Sequence, residues 1–167
     1  MTQRNVLFTG SIGLENEDQV FQTLAEKVGG RAKRYPDGET GARYHWVRWL
    51  DGTYKANPQF QVHDPDKKVA GYKDSHTRAF YVLADGVAPD EVDIGRFGYA
   101  EYAIASHRKF QALKKDGAIP PATRFQVSLP TAVAATSAFI EIDARADVEP
   151  AAEYALMGEV TDLVHRI

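Results

Sequence analysis

The first thirty residues pass from a short apolar run through a glycine-containing loop to an amphipathic stretch. Residues 5–9 are mostly apolar and end at Gly10-Ser-Ile-Gly13, which predicts a buried strand followed by a loop. Asn16 then stands at a favoured helix N-cap position. Apolar residues recur at helical spacing until Gly29-Gly30 (Val20, Phe21, Leu24, Ala25 and Val28). This order of patterns predicts a βα unit.

The middle of the chain changes its pattern twice. Residues 32–35 predict a short second strand that ends at Pro36-Asp-Gly38, and the aromatic-rich residues 42–50 predict a helix. Residues 51–96 have several prolines and no helical period, so they predict an excursion of short strands outside the main sheet. Asp85-Gly86 is a candidate hairpin turn within that excursion.

Helical periodicity returns in the last third of the chain. Residues 99–115 predict a helix with a basic last turn that stops at Gly117, and residues 123–129 predict a third strand. A short helix is expected over residues 132–139, and a final helix is expected to begin near Pro150. Strands and helices that alternate in this way predict an α/β fold with a parallel sheet.

Composition narrows the class of protein. The chain has 167 residues, a net charge of −3 and no cysteine, which predicts a single domain over residues 1–167 without disulfide or thiolate chemistry. The near-neutral net charge shows no excess of basic residues of the kind that binds nucleic acid or an anionic membrane surface. The apolar runs are far shorter than the roughly 20 residues of a membrane span, and no signal segment is evident. We therefore expect a cytoplasmic protein that binds neither nucleic acid nor membrane.

Three loops at predicted strand ends carry the candidate chemistry, because ligand sites of parallel α/β folds gather at the carboxyl ends of strands. In the first loop, Gly10 and Ser11 offer backbone N–H groups and a hydroxyl to an anion or carboxylate. The alternative for this loop is a tight strand-to-helix turn. In the third loop, Thr131 follows Pro130, and a simple helix cap is the stronger interpretation there.

The second loop is the densest in charge. Asp37, Glu39 and Arg43 lie within seven positions, so a carboxylate could hold a substrate ammonium or act as a general base, and Arg43 could bind an anionic group. Glu39 is the preferred catalytic candidate, and the alternative is a solvated turn that caps the next helix. His45 is the one histidine expected near this loop, and no histidine pair has metal-site spacing.

The three loops together resemble a known superfamily. Phe8-Thr-Gly-Ser-Ile-Gly13, Asp37-Gly-Glu-Thr-Gly-Ala-Arg43 and Arg124-Phe-Gln-Val-Ser-Leu-Pro-Thr131 resemble the first half of the barrel of cobalamin-independent methionine synthase and uroporphyrinogen decarboxylase. The resemblance implies a partial (β/α) TIM-type barrel with a β-rich insertion at about residues 51–96. A complete barrel of this type takes about 250 residues.

The resemblance also implies roles for particular residues. Gly10 and Ser11 match the turn that contacts the homocysteine substrate, Glu39 matches the glutamate that holds the substrate amine, and Thr131 matches a later turn. The family's zinc is held by His, Glu and two Cys from later strands, and this chain has no Cys. No cofactor is therefore expected within the chain, while zinc and a folate methyl donor are implied for a full-length relative.

These observations lead to a functional expectation with two alternatives. We expect a methionine-synthase-like protein derived from a methyltransferase, with a small amino-acid or thiol substrate bound by Gly10, Ser11, Glu39 and Arg43. A partial barrel leaves open strand edges, which predicts a homo-oligomer or a missing C-terminal half. The alternatives are a non-catalytic ligand-binding or oligomerisation module and a metal-independent decarboxylase-like lyase.

Overall fold

The computed structural model describes residues 6–69 and 76–167, apart from the side chains of Trp46 and His76. Its α-helices are α1 (Glu17–Lys27), α2 (Asp51–Ala56), α3 (Tyr99–Lys115), α4 (Ala132–Ser137) and α5 (Arg145–Arg166). Its strands are β1 (Arg34–Pro36), β2 (Phe60–Val69), β3 (His76–Leu83) and β4 (Arg124–Gln126). The protein is thus of the mixed α/β class, as the sequence predicted.

The chain divides into two compact units. Unit 1 comprises Met1–Trp46, Gly98–Leu129 and Asp162–Ile167, and unit 2 comprises Val47–Phe97 and Pro130–Thr161. Each described sheet has two strands, β1–β4 in unit 1 and β2–β3 in unit 2, and neither of these sheets closes into a barrel. The single domain and its insertion over residues 51–96 therefore stay predictions, as does the partial barrel.

Three segments of unit 1 run parallel to one another. Strands β1 and β4 pair in parallel with Tyr35 opposite Phe125. In place of the first predicted strand, the described residues form two isolated parallel bridges to the residues before and after β1, Val6 with Ala32 and Ser11 with Gly38. Because all three segments run in one direction, the residues that follow them collect at one edge, which is where the candidate site lies.

Helices α1 and α3 supply the core of unit 1. Asn16 caps α1 as predicted, because its side-chain oxygen accepts a hydrogen bond from the Gln19 amide at 2.9 Å. The buried core combines three residues of the predicted apolar face of α1 with residues in or near β1 and α3 (Val20, Phe21, Leu24, Ala32, Tyr35, Phe110 and Ile119). Phe21 packs edge-on against Phe110 at 5.5 Å between ring centroids.

Unit 2 is built on the antiparallel pair β2–β3. Phe60 lies opposite Leu83, and the connection over residues 70–75 lies outside the described residues. Aromatic rings fill its core, where Tyr54 stacks on Tyr81 at 6.0 Å and meets Phe60 edge-on at 5.2 Å. Tyr54, one of the aromatic residues that follow the second loop, is therefore a fully buried core residue.

Four local predictions were wrong. Residues 42–50 form separate 3-10 turns (Gly41–Arg43 and Trp46–Leu50), because the first turn starts from a left-handed Gly41 without a side-chain cap. Asp85-Gly86 does not join β2 to β3 but follows β3, and the excursion also contains α2. The last helix begins at Arg145, directly after the 3-10 turn Ile142–Ala144, so Pro150 lies inside it.

Among the described residues, no helix combines the length and apolar character needed to cross a membrane.

Candidate functional site

The loop after β1 turns sharply through two consecutive left-handed residues, Gly38 (φ 82°) and Glu39 (φ 52°). A Cβ on Gly38 would lie 2.7 Å from Cγ2 of Val20, so this backbone packs directly on α1. Glu39 is the only non-glycine residue with positive φ in the described parts of the chain. Such a conformation costs an L-residue roughly 1–2 kcal/mol, so the surrounding contacts must hold Glu39 in place.

Ser11 provides one of those contacts. Its hydroxyl donates a hydrogen bond to Oε2 of Glu39, while the backbones of Ser11 and Gly38 form a parallel bridge. The amide of Ile12 donates to the carbonyl of Gly38 at 2.9 Å, which ties the first loop to the second. Glu39 is 8% exposed, so its carboxylate is a nearly buried and oriented group.

Gly10 lets the first loop approach this carboxylate closely. A Cβ on Gly10 would lie 2.8 Å from Oγ of Ser128 and 3.6 Å from Cδ of Glu39, and its φ of 149° is also unfavourable for other residues. The Ser128 hydroxyl donates to the carbonyl of Thr9 at 3.2 Å. Only glycine therefore fits between the two side chains, and the first and second predicted loops do meet around Glu39.

Two polar residues of β4 and its following loop belong to this cluster although they were not selected from the sequence. Nε2 of Gln126 donates to the carbonyl of Phe8 at 2.8 Å, and its Oε1 is buried without a hydrogen-bond partner in the described structure. Ser128 lies two residues further on, in the loop after β4. The available signal was their position at the carboxyl end of the third predicted strand.

Asp37 and Arg43 form a buried ion pair beside Glu39. Nη2 of Arg43 lies 2.7 Å from Oδ2 of Asp37, and Oδ1 of Asp37 accepts a hydrogen bond from the Glu39 amide at 3.1 Å. The Arg43 guanidinium also lies over the ring of Tyr102, 4.9 Å from its centroid. Asp37 thus positions both Glu39 and Arg43, and it compensates the arginine's charge.

One donor of Arg43 remains unused. Its Nε is buried and has no hydrogen-bond partner among the residues described. Buried polar atoms are usually paired, and an unpaired one is often a place for a water or ligand. The predicted binding of an anionic group by Arg43 stays a prediction, since Asp37 already occupies its Nη2.

His45 lines an open cleft in the same unit. The cleft has a volume of about 620 Å³ and is lined by the loops after the first and second predicted strands and by one residue of α1 (Gly13, Leu14, Glu15, Gln19, Gly41, Tyr44 and His45). The rings of His45 and Tyr44 meet edge-on at 5.1 Å, and Tyr44 is 57% exposed. The cleft therefore presents an imidazole and a phenol ring to a ligand.

Thr131 belongs to unit 2, where it caps α4. Its hydroxyl oxygen accepts a hydrogen bond from the Ala134 amide at 3.1 Å. This geometry is the helix cap that was the stronger interpretation from the sequence. The substrate contact that the resemblance implies for Thr131 stays a prediction.

An ion-pair network supports the second loop from α1 and α3. The Thr40 hydroxyl donates to Glu17 at 3.4 Å, and Nζ of Lys109 lies 2.8 Å from the same carboxylate. Burial acts to raise the pKa of Glu17, but the hydrogen bonds and charge of Lys109 outweigh it and hold that pKa below its ordinary value. Glu17 is therefore a charged anchor for the loop.

The residues of this chain do not fit the zinc site that the resemblance implies. The sequence has no cysteine, and in the described part of the chain no three His, Asp or Glu side chains are placed to share a metal ion.

The described geometry defines an α/β protein with a buried acid–arginine cluster at the ends of parallel segments. No family model, curated protein or solved structure matches the chain. The resemblance to the methionine synthase superfamily therefore stays a prediction from three loops.

Proposed function

We propose that the cluster around Glu39 binds the amino group of a small amino-acid or thiol-containing substrate, as part of a methyltransferase-like activity. The observation that carries this proposal is the left-handed Glu39, whose carboxylate is fixed by the Ser11 hydroxyl. Strained residues that their surroundings hold in place are concentrated at functional sites. A solvated turn that only had to cap the helix predicted after it would not need a glutamate in this conformation.

The electrostatics favour an ammonium group as the ligand of Glu39. Oε2 accepts from Ser11, and no described residue provides a cation to Glu39, because the nearby Arg43 is paired with Asp37. A carboxylate that is nearly buried without an ion-pair partner is stabilised by a bound cation. A substrate ammonium supplies that charge together with hydrogen-bond donors.

The other end of the substrate is assigned to the first loop. Gly10 and Ser11 lie against Glu39, and their backbone can approach a bound carboxylate closely because residue 10 has no Cβ. The buried donor Nε of Arg43 is a further candidate partner for an anionic group. These residues would orient an amino acid, while the groups that transfer the methyl group would come from elsewhere, such as a second copy or a C-terminal half.

Calorimetric titration of the protein with L-homocysteine tests the proposal. Glu39→Gln keeps the size and hydrogen-bonding capacity of the side chain but removes its charge, so we expect it to weaken binding about tenfold or more. Glu26→Gln removes an exposed carboxylate of α1 and is the matched control, which should bind as the wild type does.

Two results would overturn the proposal. The first is that the wild-type protein does not bind L-homocysteine, and the second is that Glu39→Gln binds it with wild-type affinity. If the protein binds L-homocysteine but does not methylate it in the presence of a methyl donor, the proposed binding site is retained. The chain would then be a non-catalytic ligand-binding module.

A further inference from the structure

The open cleft of unit 1 contains a carboxylate as well as two aromatic rings. Glu15 and Gln19 line it together with Tyr44 and His45, and its volume of about 620 Å³ lies in the range of small-molecule sites. Glu39 is not among the residues that line the cleft. The cleft is therefore a candidate site separate from the carboxylate to which the amino-acid substrate is assigned.

The side chain of Gln19 orients the Glu15 carboxylate. Nε2 of Gln19 donates to Oε2 of Glu15 at 3.0 Å, and its Oε1 accepts a hydrogen bond from the Glu15 amide at 3.4 Å. Gln19 belongs to the capped first turn of α1, because its own amide donates to the side chain of Asn16 at 2.9 Å. A rigid helix end thus holds an exposed carboxylate in the lining of the cleft.

The charges at the start of α1 favour a cation. Lys109 reaches this turn, but Glu17 and Asp18 share it, since their carboxylates lie 2.8 Å and 3.2 Å from its Nζ. In the described ion pairs, Glu15 has no basic partner, so three carboxylates share one ammonium group and about two negative charges remain. The partial positive charge of the helix N-terminus, about half an elementary charge, does not cancel them.

The aromatic side of the cleft suits a flat cation. Tyr44 is 57% exposed, and the planes of its ring and the His45 ring meet at 80°. An exposed phenol ring attracts a cation placed over its face. The described lining contains no lysine or arginine that could take this place. A carboxylate and an aromatic face are thus available in one cleft without a cation of the protein's own.

We propose that this cleft binds the guanidinium group of a ligand. A guanidinium is planar and weakly hydrated, so its face fits the Tyr44 ring while its N–H edge donates to the Glu15 carboxylate. A primary ammonium is more strongly hydrated and has no flat face to stack. An anion would be repelled by Glu15. This proposal does not depend on the amino-acid site at Glu39.

Titration with methylguanidinium at constant ionic strength, followed by the NMR shifts of backbone amides, tests the site. The amides of Glu15, Gly41, Tyr44 and His45 should shift together with one Kd. Methylurea has a similar planar shape without the charge, and methylammonium has the charge without the plane. Each should bind about threefold or more weakly than methylguanidinium.

Two pairs of variants separate the charge from the ring. Glu15→Gln keeps an acceptor for Gln19 but removes the charge, so it should weaken methylguanidinium binding about two- to fivefold. Glu26→Gln removes an exposed carboxylate at the other end of α1 and should leave the Kd unchanged. Tyr44→Leu should weaken binding about two- to fivefold, whereas Tyr44→Phe keeps the ring and should bind as the wild type does.

The source of the guanidinium group is distinguished by two larger ligands. L-arginine carries both backbone charges of a free amino acid, and Nα-acetyl-L-argininamide carries neither. Tighter binding of the blocked compound would indicate the side chain of a peptide. Equal or weaker binding would indicate a free small molecule.

Several results would overturn the proposal. They are an absence of saturable shifts at the cleft amides, equal affinity for methylurea and methylguanidinium, and wild-type affinity in Glu15→Gln or Tyr44→Leu. Binding that is lost in Glu39→Gln but kept in Glu15→Gln would place the cation at Glu39 instead. Glu15 and Tyr44 are exposed, so their variants should unfold within about 2 °C of the wild-type Tm, and a weaker affinity then reports on the cleft rather than on folding.

Discussion

The Ser11 hydroxyl donates a hydrogen bond to the Glu39 carboxylate across 28 positions of sequence, next to the parallel bridge between Ser11 and Gly38. This one contact joins the loops that follow two parallel segments. It also holds a glutamate in a conformation that favours glycine.

The left-handed conformation of Glu39 predicts an unusual response to glycine. Glu39→Gly and Glu39→Ala both remove the carboxylate, but only alanine keeps the strain, so the glycine variant should be more stable by about 1 kcal/mol. Glu26, within α1, is the matched control, where glycine should be less stable than alanine by about 1 kcal/mol. Urea unfolding measures both differences. If the difference in unfolding free energy between the glycine and alanine variants had the same sign at both positions, it would contradict a strained Glu39.

The close approach at Gly10 predicts a steric coupling with Ser128. Gly10→Ala places a Cβ 2.8 Å from Oγ of Ser128 and should cost about 2 kcal/mol of unfolding free energy. Ser128→Gly removes the obstacle, so the double variant should lose less stability than the sum of the two single variants. Gly13→Ala, with no atom within 4 Å of its added Cβ, is the control and should have little effect. Additive losses would show that the two residues are not in contact.

The buried pair of Asp37 and Arg43 predicts a large loss when one partner is removed. Asp37→Asn leaves the Arg43 charge buried and unpaired, which should cost roughly 3–5 kcal/mol by chemical denaturation. Asp37→Leu combined with Arg43→Met removes both charges and should recover part of that loss. Glu26→Gln disrupts an exposed pair with Lys27 and should cost less than about 1 kcal/mol. Equal losses at the two pairs would contradict burial of Arg43.

The ion pair of Glu17 and Lys109 predicts how stability depends on pH. The folded pKa of Glu17 lies below its ordinary value near 4.5, so its contribution is present above that value and is lost as the pH falls through the folded pKa. Hydrogen bonding to Glu17 raises the pKa of Lys109 above 10.5, so its contribution is present below that value and is lost as the pH rises through the folded pKa.

Comparison of the wild type with Lys109→Met across pH tests this linkage. The wild-type advantage should be about 0.5 kcal/mol between pH 5 and 10, reduced because Lys109 is largely exposed, and it should shrink on either side. It should also fall at high salt. An advantage that is independent of pH would mean that the aliphatic stem of Lys109, and not its charge, stabilises the loop.

The sequence was informative where local patterns decide the structure. The spacing of Val20, Phe21 and Leu24 predicted α1, and the run at residues 99–115 predicted α3, because one apolar face per helix must be buried. The three predicted strands also run parallel, as their alternation with helices required. Five candidate residues were selected from this alternation, and all of them lie in one cluster (Gly10, Ser11, Asp37, Glu39 and Arg43).

The remaining features depend on contacts that no local pattern encodes. The pairing of Arg43 with Asp37, rather than with a ligand, follows from side-chain directions within a loop of positive-φ residues. The separate 3-10 turns replaced a predicted helix because Gly41 is left-handed, which the sequence permits but does not require.

The claim that Glu39 binds a substrate ammonium is tested most directly by deleting the amino group from the ligand. L-homocysteine and 4-mercaptobutanoate differ in that group, and their Kd values are measured by calorimetry for the wild type and Glu39→Gln. We expect the wild type to prefer L-homocysteine by about tenfold or more, and Glu39→Gln to lose most of this preference. Equal affinity of the wild type for the two ligands, or a preference that survives in Glu39→Gln, would contradict it.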